Sequence, residues 1–298
     1  MWATVNVTSK FFYLLGSAAV IGGLPGYFLL RGFDRQLLTK VFLYMALGAL
    51  VGALASVCYF LAQVGAINDA GVRGMFDWSM AGMLMDTNLG TGSFYRILAF
   101  LVAILGWLVV LYDSRDERLS MSNPLMILAL LILSGGLFAW STTLTGHVST
   151  LDVGTRIVLC VHLLAVCAWI GSLWPLRTIC NSSDVDTVTL IMERYGKIAV
   201  FVVAALVLSG LWMVLQLLNE PQEIVTTTYG RVLALKLIAV TGIVAIAARH
   251  KFSLVPGLNE ANGMQRLQKS IDREISVALL IVIVTAVLTT VIGPEMDH

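Results

Sequence analysis

Eight long stretches of this chain carry almost no charge, and that property restricts the folds open to it. They run about Phe11–Leu30, Val41–Val64, Phe94–Tyr112, Pro124–Leu144, Thr155–Trp174, Ile198–Leu218, Val232–Ala248 and Ile275–Ile292. A helix needs ~20 apolar residues to cross the ~30 Å hydrocarbon core of a bilayer, and these stretches approach or exceed that length. Inside lipid, backbone N–H and C=O groups must be satisfied internally, which an isolated segment of this length achieves as a helix. Composition agrees, with 58% of the 298 residues hydrophobic and 12% charged, against ~25% charged in soluble domains. The expected fold class is all-α: a polytopic membrane bundle of eight transmembrane helices forming one domain over residues 1–298. A net charge of +1 gives no ground for nucleic acid as a partner, whereas the spans themselves imply the lipid bilayer. The first stretch follows Lys10 without a clear small-x-small cleavage pattern, and reads as a retained span rather than a signal peptide.

Lys and Arg concentrate in the links after the first, third, fifth and seventh stretches: Arg31, Arg35 and Lys40; Arg115 and Arg118; Arg177, Arg194 and Lys197; and the run from Arg249 to Arg273. Cytoplasmic links are enriched in these residues, so both the N- and the C-terminus are expected outside the cytoplasm. Gly22/Gly26 and Gly48/Gly52/Ser56, spaced by four, predict close helix contacts. Thr91–Arg96 leads into the third stretch and Thr227–Arg231 into the seventh, each with an aromatic residue and an Arg. That echo suggests two parallel repeats of four spans, residues 1–144 and 145–298.

Most of the chemistry lies between Thr142 and Pro175. His147 closes the fourth stretch, and His162 sits seven residues past Thr155 in the fifth, roughly 10 Å below the outer surface at ~1.5 Å per residue. An imidazole in hydrocarbon is costly without a partner, which makes it a functional residue by default. His162, Val166 and Trp169 share one helix face. A short link packs consecutive helices side by side, so His147 and His162 are expected at one outward-opening pocket as metal ligands. The alternative is two satisfied structural histidines, one of them bonded to a loop carbonyl. Met75, Met80, Met83 and Met85 crowd the longest outer link, and soft thioethers favour Cu(I). Met80 and Met83, three apart, join His147 and His162 as candidate ligands; the alternative is an amphipathic helix resting on the membrane or the bundle. Met296 and His298 in the tail read as inert.

The cysteines Cys58, Cys160 and Cys167 fall in apolar stretches and Cys180 in a basic loop; without a C-x-x-C pair they read as packing residues. Lys236, five residues into the seventh stretch, is expected to snorkel or to pair with an acid such as Asp152. His250 falls in a basic cytoplasmic loop with no role. No acid can be placed at mid-depth, and no nucleotide loop or partnered nucleophile is present, so an enzyme is not expected.

The chain resembles the CopD family of bacterial copper-resistance membrane proteins (the PcoD-like proteins). The resemblance rests on Gly146-His147; His162-Leu163-Leu164 with Trp169-Ile170-Gly171-Ser172-Leu173; Arg194-Tyr195-Gly196-Lys197; Ser209-Gly210-Leu211; Thr228-Tyr229-Gly230-Arg231 with Leu235-Lys236-Leu237; and Arg249 to Pro256. It covers about Thr142 to Pro256, with the first half matching loosely. It implies an inner-membrane bundle of eight helices that handles copper delivered from the periplasm and moves it inward, with a periplasmic copper-binding protein as a further partner. His147 and His162 carry over as copper ligands, with Trp169 and Gly171 as packing around them. Some relatives carry a His in the first helix, where this chain reads Phe11-Phe12-Tyr13-Leu14; this favours a thioether or thiol as a further ligand, and Cu(I) over Cu(II). Two other readings stay open: a b-type haem protein with these histidines as axial ligands, and a scaffold for a periplasmic copper-binding partner that holds no copper itself.

Overall fold

The computed structural model of the protein describes residues 1–30, 35–68, 70–113, 124–217, 220 and 222–292. The links with Arg31, Arg115 and Arg118 and the tail with Met296 and His298 lie outside the described residues. The helices are α1 (Trp2–Leu30), α2 (Arg35–Asn68), α3 (Trp78–Met85), α4 (Asn88–Asp113), α5 (Pro124–Thr143), α6 (Val153–Ser182), α7 (Val185–Leu217), α8 (Glu223–Thr226), α9 (Thr228–Arg249) and α10 (Gly263–Leu288). No strand occurs among the described residues. Seven helices, α1, α2, α4, α5, α6, α7 and α9, are long and apolar enough to cross a membrane. The eighth expected span corresponds to α10, whose first half carries Lys269, Asp272, Arg273 and Glu274 and whose second half is apolar.

Helix starts follow from short polar side chains that accept the first unpaired amides. Asp77 caps α3 through the N–H groups of Ser79 and Met80, and Asn68 donates to its other oxygen at 2.9 Å, tying in the end of α2. Asp152 caps α6 through the Thr155 N–H and hydroxyl. Asp184 caps α7 through the same two groups of Thr187. These hydrogen bonds hold all three carboxyls below the ordinary aspartate range, with the Met80 N–H the main cause at Asp77, the Thr155 hydroxyl at Asp152 and the Thr187 N–H at Asp184. The expected Lys236–Asp152 pair is absent, because Asp152 is committed to its own helix.

The bundle is built around α1, which packs against α2 and α6; α4 pairs with α5 and α2, α6 with α7, and α10 with α9, α6 and α1. The most apolar part of α1 is 72% buried, that of α9 only 11%, so α9 offers lipid most of its surface. Two glycines allow the central contact. A Cβ on Gly171 of α6 would collide with the Ala18 carbonyl, and one on Gly22 of α1 would collide with the Gly171 backbone. Helices without side chains between them approach closely enough for dispersion and weak backbone contacts. Gly171 therefore serves the α1–α6 crossing rather than the surroundings of the histidines. Polar ties close both ends of α10: Lys10 of α1 donates to the Thr289 carbonyl just past its end, and Arg177 of α6 pairs with Asp272 near its start.

Two expectations near the basic links need correction. α6 runs through Pro175 to Ser182, so Cys180 is a buried helix residue and not a loop residue. His250 opens a π-helical stretch, His250–Leu254, that continues α9, and is not in a loop. The two stretches behind the suggested repeat also differ in role. Arg96 is 1% exposed and lies 4.3 Å over the Tyr13 ring and 5.3 Å from the Tyr59 ring, whereas Arg231 is exposed and donates to the Val225 carbonyl.

Candidate functional site

Thr155, His162 and Trp169 repeat every seven residues along α6 and so form one polar stripe on its surface. Each finds a partner on another helix. At the start of α6, Trp212 of α7 approaches the Thr155 hydroxyl at 3.5 Å. Two turns on, His162 Nδ1 lies 3.1 Å from Ser209 Oγ of α7. The Ser209 hydroxyl has one proton, directed at the Ala205 and Leu206 carbonyls of its own helix. That assigns its oxygen as the acceptor, His162 Nδ1–H as the donor and the ring's lone pair to Nε2. That is the arrangement of a ligating histidine, whose second nitrogen donates to a fixed group that sets tautomer and ring orientation. Gly210 makes the contact possible, since a Cβ there would lie 3.2 Å from His162 Cε1. The i, i+1 dipeptide Ser209-Gly210 thus both grips the imidazole and clears space for it.

His147 opens a single 3₁₀ turn, His147–Thr150, after Gly146, which takes the left-handed conformation with φ 74°. The His147 side chain lies outside the described residues. Arg156 folds the link onto the start of α6 by donating to the carbonyls of Leu151 (3.1 Å) and Ser149. Met80 and Met83 lie on α3, which packs against α2 and α4, while His162 stands between α6 and α7. The structure therefore does not bring these methionines to His162; Met83 is 58% exposed and Met80 half-buried. Met75 sits in the turn before α3, against Gly65 of α2. Lys236 of α9 is near enough for its charge to act on His162, and no hydrogen bond or ion pair holds it among the described residues. Nor do three His, Cys, Asp or Glu side chains converge anywhere among them.

The third member of the stripe reveals what sequence reasoning missed. Trp169 Nε1–H donates at 2.8 Å to Oε1 of Glu274 on α10, a carboxylate 1% exposed. Its other oxygen lies 3.1 Å from His250 Nδ1, and His250 Nε2 lies 2.7 Å from Ser270 Oγ. The chain thus has a buried acid after all, and His250 is its neighbour rather than a bystander. A signal was present: Leu267, Ile271, Glu274, Ala278 and Ile281 recur at helical spacing and are all buried, so Glu274 occupies a core position of an otherwise apolar face.

A bundle of long apolar helices, with a histidine held between two of them and a buried acid further along the same face, defines a multi-pass helical membrane protein. The chain belongs to the copper resistance protein D family. The family model for the copper resistance protein D-like N-terminal domain matches residues 1–157, and the one for copper resistance protein D matches residues 189–288. The first half, expected to match only loosely, is thus covered throughout. Among relatives, the inner membrane protein YebZ of Escherichia coli K12 is 27% identical over 76% of each chain. Copper resistance protein D of Pseudomonas syringae pv. tomato is 25% identical over 91% of each chain. No solved structure matches.

Proposed function

We propose that this protein resides in the bacterial inner membrane, takes copper from the periplasmic side and passes it inward. His162 is the ligand we assign first. The observation that carries the assignment is the 3.1 Å contact between His162 Nδ1 and the Ser209 hydroxyl; with Nδ1 as its donor, Nε2 is left as a ligand atom inside a membrane helix. His147, at the end of the preceding link, supplies a second imidazole. Two neutral nitrogens suit Cu(I), and the thioethers of Met80 and Met83 collect the ion at the outer surface. In this orientation both termini face the periplasm, and a periplasmic copper-binding protein delivers the ion. The copper-related names of the matched family and of the Pseudomonas relative support the choice of metal. A b-type haem is less well supported, because it needs a second imidazole across from His162. The only other histidine side chain among the described residues, His250, is engaged by Glu274 and Ser270.

The test is Cu(I) binding to the purified protein against a competing chelator, with uptake into proteoliposomes alongside. His147→Ala and His162→Ala should each weaken binding severely, and the double variant little more, since ligands of one site are not additive. Replacing Met75, Met80, Met83 and Met85 together by Leu should lower uptake only at low copper. Full affinity in a folded double-alanine variant refutes the site.

A further inference from the structure

Glu274 and His250 form a unit that copper ligation at His162 does not use. The carboxylate is buried and receives one hydrogen bond, from Trp169. Its second oxygen is within ion-pair distance of His250 Nδ1 but lacks hydrogen-bond geometry and has no other partner, so it retains the capacity to take a proton. His250 contacts Ser270 through its other nitrogen and is 15% exposed, which gives the pair an outlet at the basic end of α9. The other titratable groups facing this region are few. Tyr195 of α7 lies near enough to feel the Glu274 charge and is tied to Ser172 at 2.5 Å. Tyr44 of α2 donates to the Gly171 carbonyl. Arg177 of α6 is bound to Asp272, Lys251 donates to the Gly196 carbonyl, and Arg249 and Arg273 are exposed. Lys10 of α1 is at the far end of α10, on Thr289.

The charge of the pair depends on one proton. With it, shared between imidazole and carboxylate, the unit is neutral; without it, the unit carries −1. A lone negative charge in hydrocarbon is costly, and a positive charge arriving nearby offsets part of that cost. Trp169 lies seven residues from His162 on the same face of α6, roughly 10 Å along the axis. Two unit charges at ~10 Å and an effective dielectric of ~20 alter each other's binding roughly tenfold, and the effect is reciprocal.

We propose that the Glu274–His250 pair is a proton-binding site linked to copper at His162, holding its proton less tightly when Cu(I) is bound. As the ion binds, a fraction of the pairs goes from neutral to −1, the proton leaves through His250, and no electron moves. The proposal rests on the assignment of copper to His162.

The experiment adds Cu(I) to the purified full-length protein in weakly buffered detergent, reading proton release with a pH dye and copper occupancy with a competing chelator. The wild type should release more protons per bound copper than Glu274→Gln, by up to about half a proton for a tenfold coupling; the variant keeps the volume and the Trp169 contact. It should also bind copper more weakly, by up to roughly tenfold where the wild-type pair is ionised, with a shallower dependence of affinity on pH. If Glu274→Gln does not insert stably, Glu274→Leu, which suits a membrane helix, carries the same comparison. Equal proton release by wild type and variant, with copper bound to both, overturns the linkage and leaves the copper site standing. Failure of the wild type to bind copper overturns both.

Discussion

Replacing Ser209 by Ala tests the candidate site without touching a ligand. The Ser209 hydroxyl lies 3.1 Å from His162 Nδ1 and is assigned as the acceptor of its N–H, and the ring is closed in on that side by Gly210. Without the oxygen, a buried imidazole N–H loses its partner, at a cost of about 1–3 kcal/mol. The ring can lower that cost by moving its proton to Nε2, but this removes the lone pair that would bind copper. Loss of such an orienting partner typically weakens metal affinity ~10–100-fold, or about 1.4–2.7 kcal/mol at 1.36 kcal/mol per decade. Ser209→Ala should therefore show Cu(I) affinity lowered by one to two decades in chelator competition, while Ser209→Thr, which retains a hydroxyl, should recover most of it. Combining Ser209→Ala with His162→Ala should add nothing to the loss in His162→Ala alone, because the serine acts only through the ring. A folded Ser209→Ala protein with unchanged copper affinity would refute the reasoning, since the Nδ1 contact would then have no part in binding.

Gly171→Ala places a methyl group on the Ala18 carbonyl; overpacking typically costs ~1–3 kcal/mol, so detergent-induced unfolding should occur earlier than in wild type, and an unchanged midpoint would mean that α1 and α6 do not cross there. Acid should loosen α6 and α7 at their starts. Asp152 and Asp184 are held below the ordinary aspartate range by their caps, so they stabilise the folded state above the unfolded value of ~3.9 and lose that effect as pH falls through the lower folded value. Hydrogen exchange of the first-turn amides should stay slow at neutral pH and accelerate only below the ordinary carboxylate range. Asp152→Asn and Asp184→Asn should remove that step, and an acid step retained by both variants would count against the caps.

Several errors of sequence reading share one cause. Hydrophobicity marks the part of a helix that sits in lipid, not the length of the helix. α6 was legible from Thr155 to Trp174, yet it continues past Pro175 to Ser182, because a proline late in a membrane helix is accommodated by its neighbours. That extension turns Cys180 from a loop residue into a core residue. His250 was misplaced in the same way, because the π-helical stretch prolongs α9 beyond its apolar run. Asp272, Arg273 and Glu274 form one run of consecutive charges. Its three side chains diverge around α10, however: Asp272 meets Arg177, Arg273 is exposed, and Glu274 faces Trp169.

The order of helices and their place in a membrane were determined by the sequence alone, because both depend on runs of about 20 residues whose transfer to lipid is a local, additive property. A close helix approach at Gly22 was foreshadowed by its spacing from Gly26, and His162 stood out by its position in an apolar run. Only the tertiary structure decided which helix each polar side chain meets. Ser209 is 47 residues from His162, and Glu274 is 105 from Trp169; spacing within one helix carries no record of such partners. The tautomer of His162, the burial of Glu274 and the separation of the α3 methionines from α6 all follow from helix packing, where a rotation of one residue, about 100° at ~3.6 residues per turn, moves a side chain from the core to the lipid.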